Sequence, residues 1–256
     1  MRAPERPPQR MAPGGGGGGE GPAVMWQRWE DLLFLHWEYN PAVIQGTLPA
    51  GLTVDLFGGR AWVGVVPFRM AAVRPRFLPP LPGLSWFWEL NVRTYVRDRH
   101  GRAGVWFYSL DCDQPLACAL ARRFFHLNYR DADMECRVGA DGARDYRSRC
   151  RDEASQARLE WRVREPEAGP APAAPGSLDH FLIERYRLFS GDAAAGRLLT
   201  GVVAHEPYRL SPAVAGPLEV DDLFVSNRLP LPAGPPGHLV ASRGVRVRVF
   251  GVKILS

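Results

Sequence analysis

A mainly β fold, an antiparallel β-barrel with one or two flanking helices, follows from three observations on this sequence. Many short stretches alternate apolar with polar residues, helical spacing is confined to two short segments, and strands do not alternate with helices in a βαβ rhythm. Neither half of the chain has enough strands to bury its apolar faces alone, so residues 24–256 are expected to form one domain. Residues 1–23 are rich in Pro and Gly and are expected to be disordered, because they bury too little surface to offset chain entropy.

The elements read in order as follows. Trp26–Asp31 reads as a short turn or helix that leads into an apolar, aromatic strand. Asn40-Pro41 starts a short helix, a cap followed by proline at the first helical position. Thr53–Phe57, the Gly58-Gly59 turn and Ala61–Met70 read as a hairpin. Trp86–Arg97, the DRHG turn and Ala103–Asp111 form a second hairpin. Asp113 caps a helix that starts at Pro115 and carries Leu116, Leu120, Phe124 and Leu127 on one side. Arg122 points away from that side. Arg123 falls on it and must snorkel to water or meet a polar partner. Strands resume from Ala132, and Ala157–Arg164 sets Leu159, Trp161 and Val163 against Arg158, Glu160, Arg162 and Arg164. EPEAGPAPAAPGS is a linker-like loop. His180–Phe189, Leu198–His205 and His238–Phe250 complete the strand set.

Composition excludes several classes. The formal charge is +5, but Lys253 is the only lysine and the arginines are interleaved with acids, as in RDRHGR, so no nucleic-acid partner is expected. The cysteines Cys112, Cys118, Cys136 and Cys150 form no C-x-x-C and read as reduced thiols of a cytoplasmic protein. HEPY at His205–Tyr208 is not H-E-x-x-H, and the histidines lack ligand spacing, so neither a metal nor a cofactor is expected. No apolar run is long enough to span a membrane, so no membrane partner is expected either. The oligomeric state stays open.

The strand ELNVRTYV carries the best candidate site. Alternation puts Glu89, Asn91, Arg93 and Tyr95 on one face and Leu90, Val92, Thr94 and Val96 on the other. Phe87 lines up with the polar row, whereas Trp86 and Trp88 share the apolar parity. Arg93 has the planar fork that holds a carboxylate or enolate oxygen, Glu89 is an orienting group or acid-base, and Tyr95 offers a donor and a flat wall. The competing reading has Glu89 and Arg93 simply paired with one another, because a buried arginine needs a partner. FLIERYRLF, read as a strand, offers a second row with Glu184 and Tyr186 on one side, either completing a pocket or forming structural ion pairs.

DLLFLHW, AWVGVVPFRM, ELNVRTYV, GVWFYSLD and the AR-x-FF segment, followed by FLIERYRLF and HEPYRL, occur in the order of the YqjF-like, DUF2071 family. From Met25 to the end the chain resembles that family. It departs at Leu127-Asn128-Tyr129, where the family reads LPY, and in HLVASRGVRVRV, where it often reads HYS. The family is similar in architecture to acetoacetate decarboxylase, a β-barrel with a substrate cavity inside, so the resemblance implies a closed or partly closed barrel. That enzyme uses a lysine amine that condenses with a ketone, its pKa depressed by a neighbouring cation. Here Lys253 stands three residues from the C-terminus with no second lysine, which argues against a Schiff base. The expected function is a small-molecule-binding barrel for a small organic acid or carbonyl compound. The alternatives are a lysine-independent lyase or isomerase that stabilises an enolate in the same cavity, and a protein-interaction module.

Overall fold

The computed structural model describes residues 21–192 and 196–255. The strands are β1 (Met25–Tyr39), β2 (Leu52–Val54), β3 (Ala61–Pro75), β4 (Phe87–Asp98), β5 (Ala103–Cys112), β6 (Tyr129–Val138), β7 (Arg144–Cys150), β8 (Gln156–Val163), β9 (Arg187–Asp192), β10 (Arg197–Ala204), β11 (Leu210–Glu219), β12 (His238–Val249) and β13 (Lys253–Ile254). The helices are α1 (Pro41–Gln45), α2 (Pro115–Phe125), α3 (Leu178–Ile183) and α4 (Asp221–Ser226).

Strand pairing closes the sheet on itself. One circuit of nine strands runs β1-β3-β4-β5-β6-β7-β8-β11-β12 and back to β1. A second circuit leaves β5 through β9 and β10 and rejoins at β12. The strands β12, β1, β3, β4 and β5 belong to both circuits and form a shared wall.

Where the wall is covered on both sides, β1 and β3 read as nearly unbroken apolar runs, while β4 and β12 keep polar residues in alternation. Ala61–Phe68 is buried at every position. Alternation still sorts the side chains. Leu33, Leu35, Val63, Val65, Leu90 and Val92 pack on one face with Tyr146, Leu159 and Trp161 from β7 and β8. Phe34, Trp62, Val66, Phe68, Phe87 and Tyr95 pack on the other with Leu182 and Ile183 of α3. Trp88 packs against the first group and Phe87 belongs to the second, as their parity predicts.

Several elements depart from the sequence reading. The barrel is mixed rather than purely antiparallel: β6 and β9 both run parallel to β5. The first of these pairs is a βαβ unit, since α2 supplies the crossover that a parallel pair needs. Met25–Asp31 is strand, continuous with the rest of β1, and the register against β3 shifts between Glu30 and Leu35. Asp31 adopts φ of +51° there. β2 pairs with β4, and only a Phe57–Arg60 bridge closes the Gly58-Gly59 turn. Two helices beyond the expected pair appear, α3 and α4. β11 escaped the sequence reading because Pro212 and Pro217 punctuate it.

The helix α2 is capped by Gln114, whose side chain accepts from the Leu116 N–H; Asp113 instead accepts from the Trp88 N–H at 2.8 Å. Its apolar stripe faces outward, with Leu116, Leu120 and Phe124 all exposed. Cys118 is the buried residue. Arg122 turns toward β6, donating to the Tyr129 carbonyl and the Asp131 carboxylate. Arg123 lies over the Phe124 ring at 5.8 Å.

Gly244 of β12 holds the bend beside Asp31 closed. Its φ is +135°, and a Cβ there would stand 2.1 Å from the Trp29 carbonyl oxygen. Gly244→Ala is therefore expected to cost at least about 2 kcal/mol. Urea unfolding measures it as a lowered midpoint, and a midpoint equal to that of the parent would contradict this backbone contact.

Candidate functional site

Register, not sequence proximity, assembles the site. His238 of β12 stands opposite His36 of β1, His36 opposite Gly64 of β3, Gly64 opposite Arg93 of β4, and Arg93 opposite Phe107 of β5. These five residues form one rung across the shared wall. Neighbouring strands lie about 4.8 Å apart, so the glycine opens a gap between the imidazole and the guanidinium. The Tyr95 hydroxyl and the edge of the His36 ring occupy that gap. A Cβ on Gly64 would meet His36 Cδ2 at 2.9 Å and Tyr95 Oη at 3.3 Å.

The polar row of β4 faces inward. Glu89, Asn91 and Tyr95 are buried and Arg93 is mostly buried. Arg93 and Glu89 do not pair. Glu89 accepts from the Tyr129 hydroxyl at 2.7 Å, while the Tyr146 hydroxyl donates to its main-chain carbonyl. Arg93 donates through Nη2 to the Leu182 carbonyl at 3.3 Å and stands over the rings of Phe34 and Tyr95. No carboxylate among the described residues forms a salt bridge with it, and its Nε, like Asn91 Oδ1, is buried with no hydrogen-bond partner.

His180–Phe189 is not one strand. Ser177 accepts from the His180 N–H and starts α3, which ends at Ile183; β9 begins at Arg187. The Ser cap and the acidic first turn overrode the alternation. Glu184 and Tyr186 thus sit in the connection between helix and strand. Tyr186 donates to the Glu184 carboxylate, which also accepts from the Tyr208 N–H at 2.9 Å. The Tyr208 ring contacts Phe34 at 5.4 Å and His205 at 4.7 Å, and His205 contacts Tyr186 at 4.6 Å. Through Phe34, which touches both, this aromatic group continues to Arg93. Arg185 forms a buried pair with Asp55 at 2.8 Å, and its guanidinium lies over Phe181 at 4.2 Å and over Tyr95 at 5.3 Å.

Several groups here were not singled out as site residues in the sequence. His36 Nε2 lies 2.7 Å from Tyr95 Oη, His36 Nδ1 lies 2.9 Å from His238 Nδ1, and His238 Nε2 lies 2.9 Å from Asp179 Oδ1. His36 could have been found from its parity with Phe34, but nothing local links it to His238, 202 residues away. His205 Nδ1 bonds the Glu206 carbonyl and its Nε2 is buried without a partner.

Burial dominates the electrostatics. It pushes the Glu89 carboxyl up to about 7 against the opposing hydrogen bonds from Tyr129 and Asn91. It drives His36 well below the ordinary imidazole value, helped by His238 and Arg93. His238 is lowered by burial, with Asp179 opposing, and His205 by burial, with the Glu206 carbonyl opposing. Burial raises the Tyr95 phenol, and Arg93 and Arg185 pull it back. Burial thus favours the neutral form of His36, His205 and His238.

Lys253 lies exposed on β13, paired opposite Thr200 of β10 at one end of the strand order. No lysine stands among the inward-facing groups of the wall. Among the described residues no helix is long and apolar enough to cross a membrane.

This closed barrel has the fold of the acetoacetate decarboxylase-like proteins. An acetoacetate decarboxylase-like enzyme from Sphingomonas wittichii RW1 superposes with a TM-score of 0.63 at 13% identity, covering 91% of this chain and 94% of that one. The enduracididine biosynthesis enzyme MppR, solved with pyruvate, gives 0.62 at 12% identity over 93% and 92% of the two chains. Acetoacetate decarboxylase from Legionella pneumophila gives 0.60 at 14% over 92% and 88%. Within that fold the chain belongs to the DUF2071 family, described as an uncharacterized conserved protein, whose profile matches residues 26–246. It is 37% identical over 213 residues to the uncharacterized protein YqjF of Bacillus subtilis strain 168, covering 83% of this chain and 85% of that one.

Glu89 yields a pH prediction. Its folded-state pKa of about 7 exceeds its unfolded value of 4.5, so the unfolded chain releases this proton first as pH rises. The stability associated with the neutral carboxyl is full below about 4.5 and is lost as pH rises through about 7, a span on the order of 3 kcal/mol. Glu89→Gln keeps an acceptor for Tyr129 and should remove this decline. Urea midpoints at several pH values check it; equal slopes for variant and parent would refute the assignment.

Proposed function

We propose that the barrel binds a small organic acid or carbonyl compound against Arg93. The observation that carries this reading is the Arg93 guanidinium itself. It lies inside the wall with no ion-pair partner among the described residues and with Nε unsatisfied. A guanidinium so placed is costly unless something anionic meets it, and its planar fork suits a carboxylate. The unpartnered atoms Asn91 Oδ1 and His205 Nε2 are acceptors for hydroxyl, amide or ammonium groups of the same molecule. Phe34, Tyr208 and Tyr186 supply flat walls, and Glu184 orients the two tyrosines. Apolar walls with a few convergent polar groups are what small-ligand sites use. The pyruvate named with MppR, a 2-oxo acid held in the same fold, supports the ligand class.

No Schiff base is part of this reading, because the one lysine of the chain is exposed on β13. Arg93 would instead stabilise the oxygen of a bound enolate directly, the route of a lysine-independent lyase or isomerase.

Thermal unfolding with pyruvate and with acetoacetate tests the proposal. At a hundredfold excess over Kd the stabilisation is about 2.7 kcal/mol, a Tm rise of several degrees. The rise should vanish in Arg93→Ala, each variant being compared with its own ligand-free Tm. No rise with either acid in the parent would defeat the reading. Borohydride reduction in the presence of acetoacetate should leave Lys253 unmodified, and a covalent adduct there would overturn the lysine-independent route.

A further inference from the structure

Asp179, His238, His36 and Tyr95 make an unbroken line of hydrogen bonds of 2.9, 2.9 and 2.7 Å. Its outer end is wet, since the Asp179 side chain is 45% exposed. Its inner end is fully buried: His36 and Tyr95 are at 0% exposure, and Tyr95 shares the inward face of β4 with Arg93. We propose that this line conducts a proton between solvent and the Arg93 site, with Tyr95 as the acid-base group that exchanges it with the ligand. The inference rests on the small-acid reading above.

Hydrogen-bond complementarity gives the line a direction. A carboxylate only accepts, so His238 donates from Nε2 and its Nδ1 is bare. His36 must then donate from Nδ1, which leaves its Nε2 bare, and the Tyr95 hydroxyl donates to it. All rings are neutral in this arrangement, in keeping with the lowered basicity of both histidines. The charged groups around the line are Arg93 beside His36 and Tyr95, Arg185 beside Tyr95 with its partner Asp55, and Asp179 itself. The two cations favour any transient phenolate on Tyr95.

The transfer balances. A C–H bond next to the ligand carbonyl breaks and its electron pair becomes the enolate, whose oxygen Arg93 holds. The proton passes to Tyr95 Oη as the Tyr95 proton moves to His36 Nε2. The Nδ1 proton of His36 moves to His238 Nδ1, and the Nε2 proton of His238 moves to Asp179, which exchanges with water. Each residue of the line, Asp179 included, gains one proton and loses one, the last passing to solvent. Exact reversal hands the same proton back to the carbon; a solvent proton replaces it when the protons held on Tyr95 and the two rings exchange with water during the lifetime of the bound enolate. Gly64 belongs to the device, because a side chain there would push His36 from Tyr95.

Proton NMR of pyruvate in deuterium oxide reads the activity as loss of the methyl signal. The parent protein should exchange this methyl faster than buffer alone. Asp179→Asn keeps an acceptor for His238 but cannot take up the proton, so it should slow exchange tenfold or more while retaining the pyruvate-induced Tm rise. Tyr95→Phe should abolish exchange. Ligand-free 15N NMR of the histidines should show His36 protonated on Nδ1 and His238 on Nε2, in the parent and in Asp179→Asn alike, which also confirms that the variant folds. Opposite tautomers, or equal exchange in all three proteins, or binding without exchange in the parent, overturns the proton line and leaves the binding reading standing. Failure of both acids to bind the parent overturns the binding reading and the proton line with it.

Discussion

The middle of the shared wall, where β1, β3 and β4 lie side by side, is buried on both faces, and the placement of the polar groups follows from that constraint. Side chains alternate along each strand, so every residue of the wall is assigned to one of two interiors. Leu90 and Val92 go to the apolar side with Leu159 and Trp161. Glu89, Asn91, Arg93 and Tyr95 go to the side capped by α3. A slip of one residue between β3 and β4 would drive the whole polar row into the hydrocarbon face, so the register is fixed by the cost of burying charge there.

The protein shows two treatments of buried arginine. Arg185 meets Asp55 at 2.8 Å, and Arg130 meets Asp111 at 2.6 Å, so each charge is compensated inside the fold. Asp55 also accepts from Arg97, which ties the segment after β2 to β4. Arg93 meets a carbonyl, two aromatic faces and the Tyr95 hydroxyl, and no carboxylate among the described residues forms a salt bridge with it. Two buried guanidiniums thus have carboxylate partners, and the third has none among the described residues. The nearest carboxylate on its own strand face, Glu89, is engaged by Tyr129 and held toward its neutral form by burial.

The likeness to acetoacetate decarboxylase-like structures lies in the backbone path, at 12–14% identity. Along the inner face this chain places a guanidinium, two facing imidazoles and a phenol. The histidine pair exists because β12 and β1 are antiparallel neighbours with His36 and His238 directly opposite, where side chains come closest. Gly64 on the next strand then leaves room for the Tyr95 hydroxyl.

The sequence by itself determined the hairpin of β4 and β5, the shared face of Glu89, Asn91, Arg93 and Tyr95, the cap at Asn40 and the mainly β architecture. All of these rest on local periodicity or turn chemistry, which a few consecutive residues encode. The sequence could not say whether Glu89 paired with Arg93, because both share one strand face and the deciding partner, Tyr129, arrives from β6. It misjudged Leu116, Leu120 and Phe124, since periodicity shows that a helix has an apolar side but not which side meets the sheet. It read Glu184 and Tyr186 into a strand where a serine cap starts a helix. Only the tertiary structure brought Asp179 and His238 to His36, because strand register between segments some two hundred residues apart is a property of the closed sheet and of no segment within it.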